Sequence, residues 1–309
     1  MRCIFFGTPA IALPTLEALL GISDLVAAVC QPDRPGGRGM KQTSPPVKLW
    51  AQSKEIQVLQ PDNLKDGELA RWISAQSIDV CVVLAYGKIL PQAVLDSPRL
   101  GCLNLHASLL PRHRGAAPIQ WSIISGDEKT GVTLMKMDAG LDTGPILSEH
   151  ELAISPREDA GTLTERIGDL CAVVVREDVP KYAKGELAEA PQDNLLATWA
   201  PPIKAADRRI TFDDAAVAID ARIRALSPAP GALTQCRGRI LRLLETRPLA
   251  RDSVGAAGTV TLTPERHILV STRAGSLQVI RAQLEGKKPQ EARDLINGRT
   301  IVQDDLLGG

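Results

Sequence analysis

The first half of the chain alternates short β-branched, apolar runs with longer stretches whose apolar positions recur at helical spacing. This is the pattern of βαβ units around a mostly parallel sheet. Residues 3–6, 25–30, 78–84 and 102–106 are the expected strands, and 9–20, 45–54 and 66–75 the expected helices. Proline is accepted in the first helical turn, where its missing N–H leaves no bond unmade. A strand at 132–137 and an extended stretch at 144–154 lead into a long helix over 162–184. Periodicity then fails: residues 188–202 place Pro191, Pro201 and Pro202 among small and polar residues, the composition of a linker. Beyond it lie one helix at 213–226, the turn Pro228-Ala229-Pro230-Gly231, and short strand-like runs at 240–244, 258–262, 267–272 and 277–282. Their spacing predicts a small, OB-like β-barrel. The expected fold is therefore α/β, a Rossmann-like sheet domain over 1–188, a linker over 189–206 and a barrel domain over 207–309. No internal repeat is visible.

Length agrees with two domains, since 309 residues is long for a single core. No run of eighteen apolar residues occurs, and the opening Met1-Arg2-Cys3-Ile4-Phe5-Phe6 soon meets Gly7 and Pro9. It reads as a buried strand, so a cytoplasmic protein without a membrane span is expected. Six cysteines show no CxxC pair, and several sit in apolar runs where cysteine behaves as a small hydrophobe. Neither a disulfide framework nor a metal site is expected. The zero net charge hides an asymmetry: Lys and Arg against Asp and Glu number 20 to 24 over residues 1–206 and 16 to 12 over 207–309. An excess of four suits a nucleic-acid partner and an ordinary solvated surface equally well.

The loop Gly7-Thr8-Pro9 follows a strand and opens a helix, yet it lacks the GxGxxG spacing for a pyrophosphate, and no P-loop occurs elsewhere. The informative segment is 101–115. In a strand, residues two apart share a face, so Asn104 and His106 project together at its carboxyl end. An amide donor beside a histidine can stabilise a developing oxyanion and handle a proton, and the same pair also fits a hydrogen-bonded histidine closing a strand. Asp138-Ala139-Gly140-Leu141-Asp142-Thr143-Gly144 is a glycine-bounded loop after another strand. Its carboxylates fit pairing with the imidazole, and they fit plain turn chemistry.

GCLNLHASLLPRHRGAAPIQW together with MDAGLDTGPIL resembles the folate-dependent formyltransferase family. The resemblance implies a parallel sheet with its site at the strand ends and 10-formyltetrahydrofolate as formyl donor, with no metal. It implies that Asn104, His106 and Asp142 are catalytic and that Ser108, Leu109, Leu110 and Pro111 contact the folate. Tyr86 and Gly87, in LAYGKILP, match a family loop beside the folate pocket, although Tyr86 alone fits a core aromatic equally well.

Residues 31–48 set four cations against one acid on a loop with three glycines, which fits a phosphate-contacting arm and, as a bare charge run, an exposed loop. QPDRPGGRG leading to SPPVK is similar to an insertion in family members whose acceptor is the methionine of initiator tRNA. Arg34, Arg38 and Lys41 are the implied tRNA contacts. The expected activity is formyl transfer onto the amino group of initiator methionyl-tRNA by a monomer. The alternatives are an amine on a nucleotide sugar or purine precursor, a hydrolase releasing formate from the same folate, and a binding protein without catalysis. One departure lies in the linker. Trp199-Ala200-Pro201-Pro202-Ile203 has proline where the family carries lysine, with Lys204, Arg208 and Arg209 nearby to supply charge.

Overall fold

The computed structural model describes residues 1–36, 41–250 and 255–308. They fall into two compact units: Met1–Pro118 with Lys129–Ala153 and Thr164–Ala200, and Ile119–Glu128 with Ile154–Leu163 and Pro201–Gly309.

In chain order the elements are β1 (Arg2–Gly7), α1 (Leu13–Ile22), β2 (Asp24–Val29), a hairpin of β3 (Arg34–Gly36) and β4 (Lys41–Thr43), α2 (Pro46–Ser53) and β5 (Gln57–Leu59). Then come α3 (Glu68–Ala75), β6 (Val80–Leu84), α4 (Gln92–Leu95), β7 (Cys102–His106), α5 (Pro118–Ile124), β8 (Lys129–Lys136), β9 (Ile146–Ala153) and α6 (Ala160–Ala183). Among the described residues the first unit's sheet has the order β5-β2-β1-β6-β7-β8-β9. Pairing is parallel from β5 through β7 and antiparallel for β7–β8 and β8–β9. Burial follows position. Central β1 and β6 are covered on both faces, so Cys3–Phe6 and Val80–Leu84 are uninterrupted apolar runs. The edge strand β9 alternates covered and open positions, as one covered face requires. The chain runs from β1 outward through β2 and β5, then crosses to β6 on the other side of β1. A sheet that reverses direction in this way leaves a crevice at the carboxyl ends of the strands flanking the switch.

In the second unit, α7 (Ala216–Ala225) precedes β10 (Ala232–Cys236), β11 (Arg239–Leu249), β12 (Val260–Leu262), β13 (Ile268–Ser271), β14 (Ser276–Leu284), β15 (Gln290–Glu291) and α8 (Ala292–Asn297). The antiparallel order is β10-β11-β14-β13-β12, with β15 on β14. The two edges are joined by the last residues of the chain: Leu306 bridges Thr259 and Leu307 bridges Cys236. That closure makes the barrel, and closing a sheet removes the unpaired edges that invite aggregation. Ile219, Ile223, Leu241, Leu243, Val260, Val270, Leu277, Val279 and Leu307 are among its core residues.

Ionic bonds reinforce the second unit at a buried carboxylate. Asp220 of α7 is 2% exposed and accepts from Arg224 Nε at 2.9 Å, Thr246 Oγ1 at 2.8 Å and Arg157 Nη1 at 3.2 Å. Asp220→Ala should lower the urea midpoint of unfolding by the equivalent of about 3–5 kcal/mol, because it strands buried donors without their acceptor. Lys129→Ala breaks an exposed pair with Glu151 and should move the midpoint little, since solvent screens that pair.

Candidate active site

β7 carries the chemistry at its open end. Cys102 lies in a buried cluster with Ile4, Phe6, Cys81 and Val83, and Asn104 and His106 occupy the next two places on the same face of the strand. His106 is 5% exposed, and its Nε2 donates to the backbone carbonyl of His113 at 2.9 Å. A carbonyl only accepts, so this bond keeps a proton on Nε2 and leaves Nδ1 as the nitrogen free to exchange one. Nδ1 stands 3.7 Å from Asp142 Oδ2, too far for a direct hydrogen bond, so the two groups face each other across a short gap. Asn104 is half-buried, and among the described residues its carboxamide makes no hydrogen bond within the chain.

Asp142 reaches the histidine from a tight loop after β8. Its backbone is left-handed at φ 54°, and its Oδ2 accepts the Gly115 N–H at 2.8 Å. The other loop carboxylate does turn chemistry: Asp138 Oδ1 accepts from Gly140 N and Thr143 Oγ1 at 3.0 and 2.8 Å.

The 108–115 segment that supplies the His113 carbonyl and Gly115 amide is pinned by Thr133 of β8. Leu110 N donates to Thr133 Oγ1 at 3.0 Å, and that hydroxyl donates to Ser108 O at 2.7 Å. The Leu110–Pro111 peptide is cis, and His113 has φ 61°. Ser108 and Leu110 are buried, with the Ser108 hydroxyl committed to Arg112 O, whereas Leu109 and Pro111 are partly open.

At the end of β6, Tyr86 packs edge-on to Phe6 with ring centroids 5.4 Å apart. Burial pushes its phenol up to about 12, and its carbonyl accepts from Gln31 Nε2 and Thr8 Oγ1. It therefore holds the place of a core aromatic. Gly87 beside it is exposed at φ 79°, and a Cβ there would come 2.6 Å from Gln31 Nε2. The left-handed backbone favours glycine there, while the contact is with the mobile end of the Gln31 side chain.

In the 31–48 arm, Asp33 anchors the base. Its carboxylate takes Lys48 Nζ at 2.7 Å, Gln60 Nε2 at 2.9 Å and Ser44 Oγ at 3.1 Å. Lys48 above all, then Gln60, holds that carboxyl below its usual range. Exposed Arg34 leans on Gln31 Oε1. Arg38 lies outside the described residues, as does the side chain of Lys41, whose backbone belongs to β4. Near Pro202, Arg208 is engaged with the carbonyls of Pro230 and Gly231, while Lys204 and Arg209 are exposed.

Two residues that sequence reasoning passed over sit against this site. Arg114, 3% exposed, donates from Nε and Nη2 to Gln192 Oε1 at 3.0 and 2.7 Å, and from Nη2 to Asn194 Oδ1 at 2.9 Å. Gln192 Nε2 donates to the carbonyls of Asp142 and Gly144 at 2.9 and 2.7 Å. The stretch read as a linker thus begins as a strap on the first unit: Ala190 bridges Ile146, and Trp199 bridges Arg114. Proline-rich, aperiodic sequence gives no sign of such bonds.

A polar pair at the end of a parallel strand, a facing carboxylate and a backbone loop closing over the histidine offer the donors and the proton-handling groups that a group transfer through a tetrahedral intermediate needs. The chain belongs to the formyl transferase family: residues 1–176 match the formyl transferase model and residues 202–300 the formyl transferase C-terminal domain. The methionyl-tRNA formyltransferase of Sorangium cellulosum (strain So ce56) is 47% identical to it over 310 residues, covering 100% of both chains. Among solved structures, an N-formyltransferase from Helicobacter canadensis in complex with folinic acid and dTDP-3-aminofucose is 20% identical with a TM-score of 0.67, covering 92% of this chain and 98% of that one. A methionyl-tRNA formyltransferase from Clostridium thermocellum is 17% identical with a TM-score of 0.56, covering 80% and 93%. At these identities the two structures speak for the fold, which is the one described above.

Replacing His106 or Asp142 by Ala should each lower turnover by roughly 10²–10⁴-fold, the range for acid-base groups. Asn104→Ala should cost about 10²–10³-fold, as for a lost oxyanion donor. If the imidazole and carboxylate act together, the His106→Ala/Asp142→Ala double variant is little slower than the slower single. Steady-state rates at saturating folate check this, and multiplicative losses would mean that the two work independently.

Proposed function

We propose that the chain transfers the formyl group of 10-formyltetrahydrofolate to the amino group of methionyl initiator tRNA. The observation that carries the reaction is the unengaged Asn104 carboxamide beside a histidine whose Nδ1 faces a carboxylate. The acceptor rests on full-length similarity to the Sorangium relative and on the basic arm over 31–48.

The neutral methionyl nitrogen attacks the formyl carbon, forming the new C–N bond and a tetrahedral oxyanion. Asn104 donates to that oxygen, and the imidazolium of His106 offsets its charge from the Nδ1 side. Asp142 stabilises the imidazolium and takes part in moving the proton released by the attacking nitrogen to N10 as the old C–N bond breaks. With Nε2 committed to His113 O, the ring cannot turn over to lose this alignment. The folate lies along the open positions of the crevice, against Leu109, Pro111 and Gly87. Ser108, Leu110 and Tyr86 support that surface from behind, a reading that agrees with their burial. In this reading residues 1–188 hold the reaction, 189–206 connect, and 207–309 contact RNA. A nucleotide-sugar or purine-precursor acceptor also carries phosphate, but it offers no extended phosphate backbone for such an arm to follow.

Incubation with 10-formyltetrahydrofolate and charged initiator tRNA should yield formylmethionyl-tRNA, detected by mass, with charged elongator tRNA as the control. Formate release at the same rate with and without acceptor would point to a hydrolase instead.

Arg34, Arg38 and Lys41 are the proposed tRNA contacts. Asp33 neutralises Lys48, so that cation is not among the proposed contacts. Arg38→Ala should weaken tRNA use with folate affinity unchanged. If Arg38 meets a phosphate, the salt dependence becomes shallower by about one charge. If it reads a base edge, discrimination between initiator and elongator falls by roughly 1–3 kcal/mol. Lys41→Ala should show the salt effect more than the selectivity effect. Rates with both tRNAs across a salt series separate these outcomes, and no change in any of them would remove the arm from recognition.

A further inference from the structure

We infer that Gln192 is a positioning residue for the transfer reaction, holding the Asp142 carboxylate against His106 through the backbone of the Asp142 loop; the inference rests on the catalytic reading given above. Asp142 needs such a hold. A non-glycine residue in the left-handed region, φ 54° here, is sterically less favoured than its right-handed alternatives, and it persists where the surroundings hold it. Relaxation at residue 142 would swing the carboxylate away from both its anchors, the Gly115 N–H and the imidazole.

The hold comes from one carboxamide. Gln192 Nε2 donates to the carbonyl of Asp142 itself and to that of Gly144, two residues on. One donor group thus spans the turn and fixes the spacing of its two ends. The carboxamide is kept the right way round by charge. Both Arg114 donors, Nε and Nη2, converge on Oε1, and a guanidinium accepts nothing, so the amide cannot flip without facing donor to donor and acceptor to acceptor. Arg114 in turn lies in the chain between His113, whose carbonyl holds His106 Nε2, and Gly115, whose N–H holds Asp142 Oδ2. The Arg114–Gln192 pair therefore ties the loop carrying the carboxylate to the loop that orients the imidazole. Gln192 itself reaches no reacting atom in this arrangement. Its effect passes through Asp142.

The near-isosteric change Gln192→Glu isolates this role. It keeps, and by charge strengthens, the bond to Arg114, so the strap stays in place. It also replaces the donor facing the two carbonyls by an acceptor, which releases the loop. Gln192→Ala removes both bonds. Each variant should lower kcat by about 10²-fold, the scale of a misplacement near 1 Å, with the folate KM within about twofold. In the Asp142→Ala background either change should cost less than about threefold, because the group it positions is gone.

The readout independent of the acceptor is amide exchange. The Gly115 N–H, bonded to Asp142 Oδ2, should exchange faster in Gln192→Glu than in the parent, while the amides of β7 keep their protection. The inference is overturned by unchanged Gly115 exchange, by an unchanged kcat, or by a loss of the same size with and without Asp142. Absence of formylmethionyl-tRNA with the parent enzyme would refute the proposed reaction, and the exchange result would still decide whether Gln192 holds Asp142.

Discussion

The hydrogen bond from His106 Nε2 to the carbonyl of His113 fixes the rest of the site. A buried imidazole with one nitrogen committed has a single face left for chemistry, and that nitrogen, Nδ1, is turned toward Asp142. The bond exists because the chain reverses within seven residues of leaving β7, and the reversal is held by Thr133 from the neighbouring antiparallel strand. β8 therefore does two jobs. It extends the sheet beyond its parallel part, and it ends in the loop that returns the carboxylate to the imidazole.

The polar face at the end of β7, the candidate site, was legible because strand periodicity and polarity disagree there. Asn104 and His106 interrupt an apolar run at positions that share one side, and a sheet tolerates that only where the side opens to a ligand or finds partners. The mostly parallel sheet and the barrel were legible from the succession and spacing of the apolar runs. The closure of the barrel was not, because Leu306 and Leu307 bridge Thr259 and Cys236 as single pairs that leave no period-two run. The hairpin of β3 and β4 and the short β5 were hidden for a related reason: at three residues each, they are too brief for alternation to emerge. Tyr86 shows the limit of a motif. Its type and neighbours mark a pocket, yet the ring faces Phe6 and the position open to solvent is Gly87.

The hardest feature to read was the strap over 190–200. Its residues carry little periodicity because their partners are loop carbonyls and a buried guanidinium rather than a sheet or helix face. A buried arginine without a carboxylate is costly unless its donors are met. Among the described residues Arg114 is met only by the amide oxygens of Gln192 and Asn194. The strap's order and the site's order are thus coupled: the guanidinium needs the strap for its acceptors, and the strap is held by bridges to Arg114 and Ile146.

Charge in the second unit has to be counted by its partners. Residues 207–309 carry an excess of basic side chains, but several do structural work. Arg224 is engaged with Asp220, Arg208 and Arg242 with carbonyls at Pro228, Pro230 and Gly231, and Arg237 with Asp305 and the carbonyls of Arg299 and Thr300. A guanidinium that holds its own backbone in place still contributes to the long-range field, yet it has fewer donors left for a phosphate and loses packing if it turns outward. Long-range attraction and direct phosphate contact are therefore carried by different sets of residues. Counterion release in the proposed RNA contact would follow the second set, which is smaller than the formal charge. The first-unit arm obeys the same logic: Lys48 is engaged by Asp33, and that bond anchors the base of the arm.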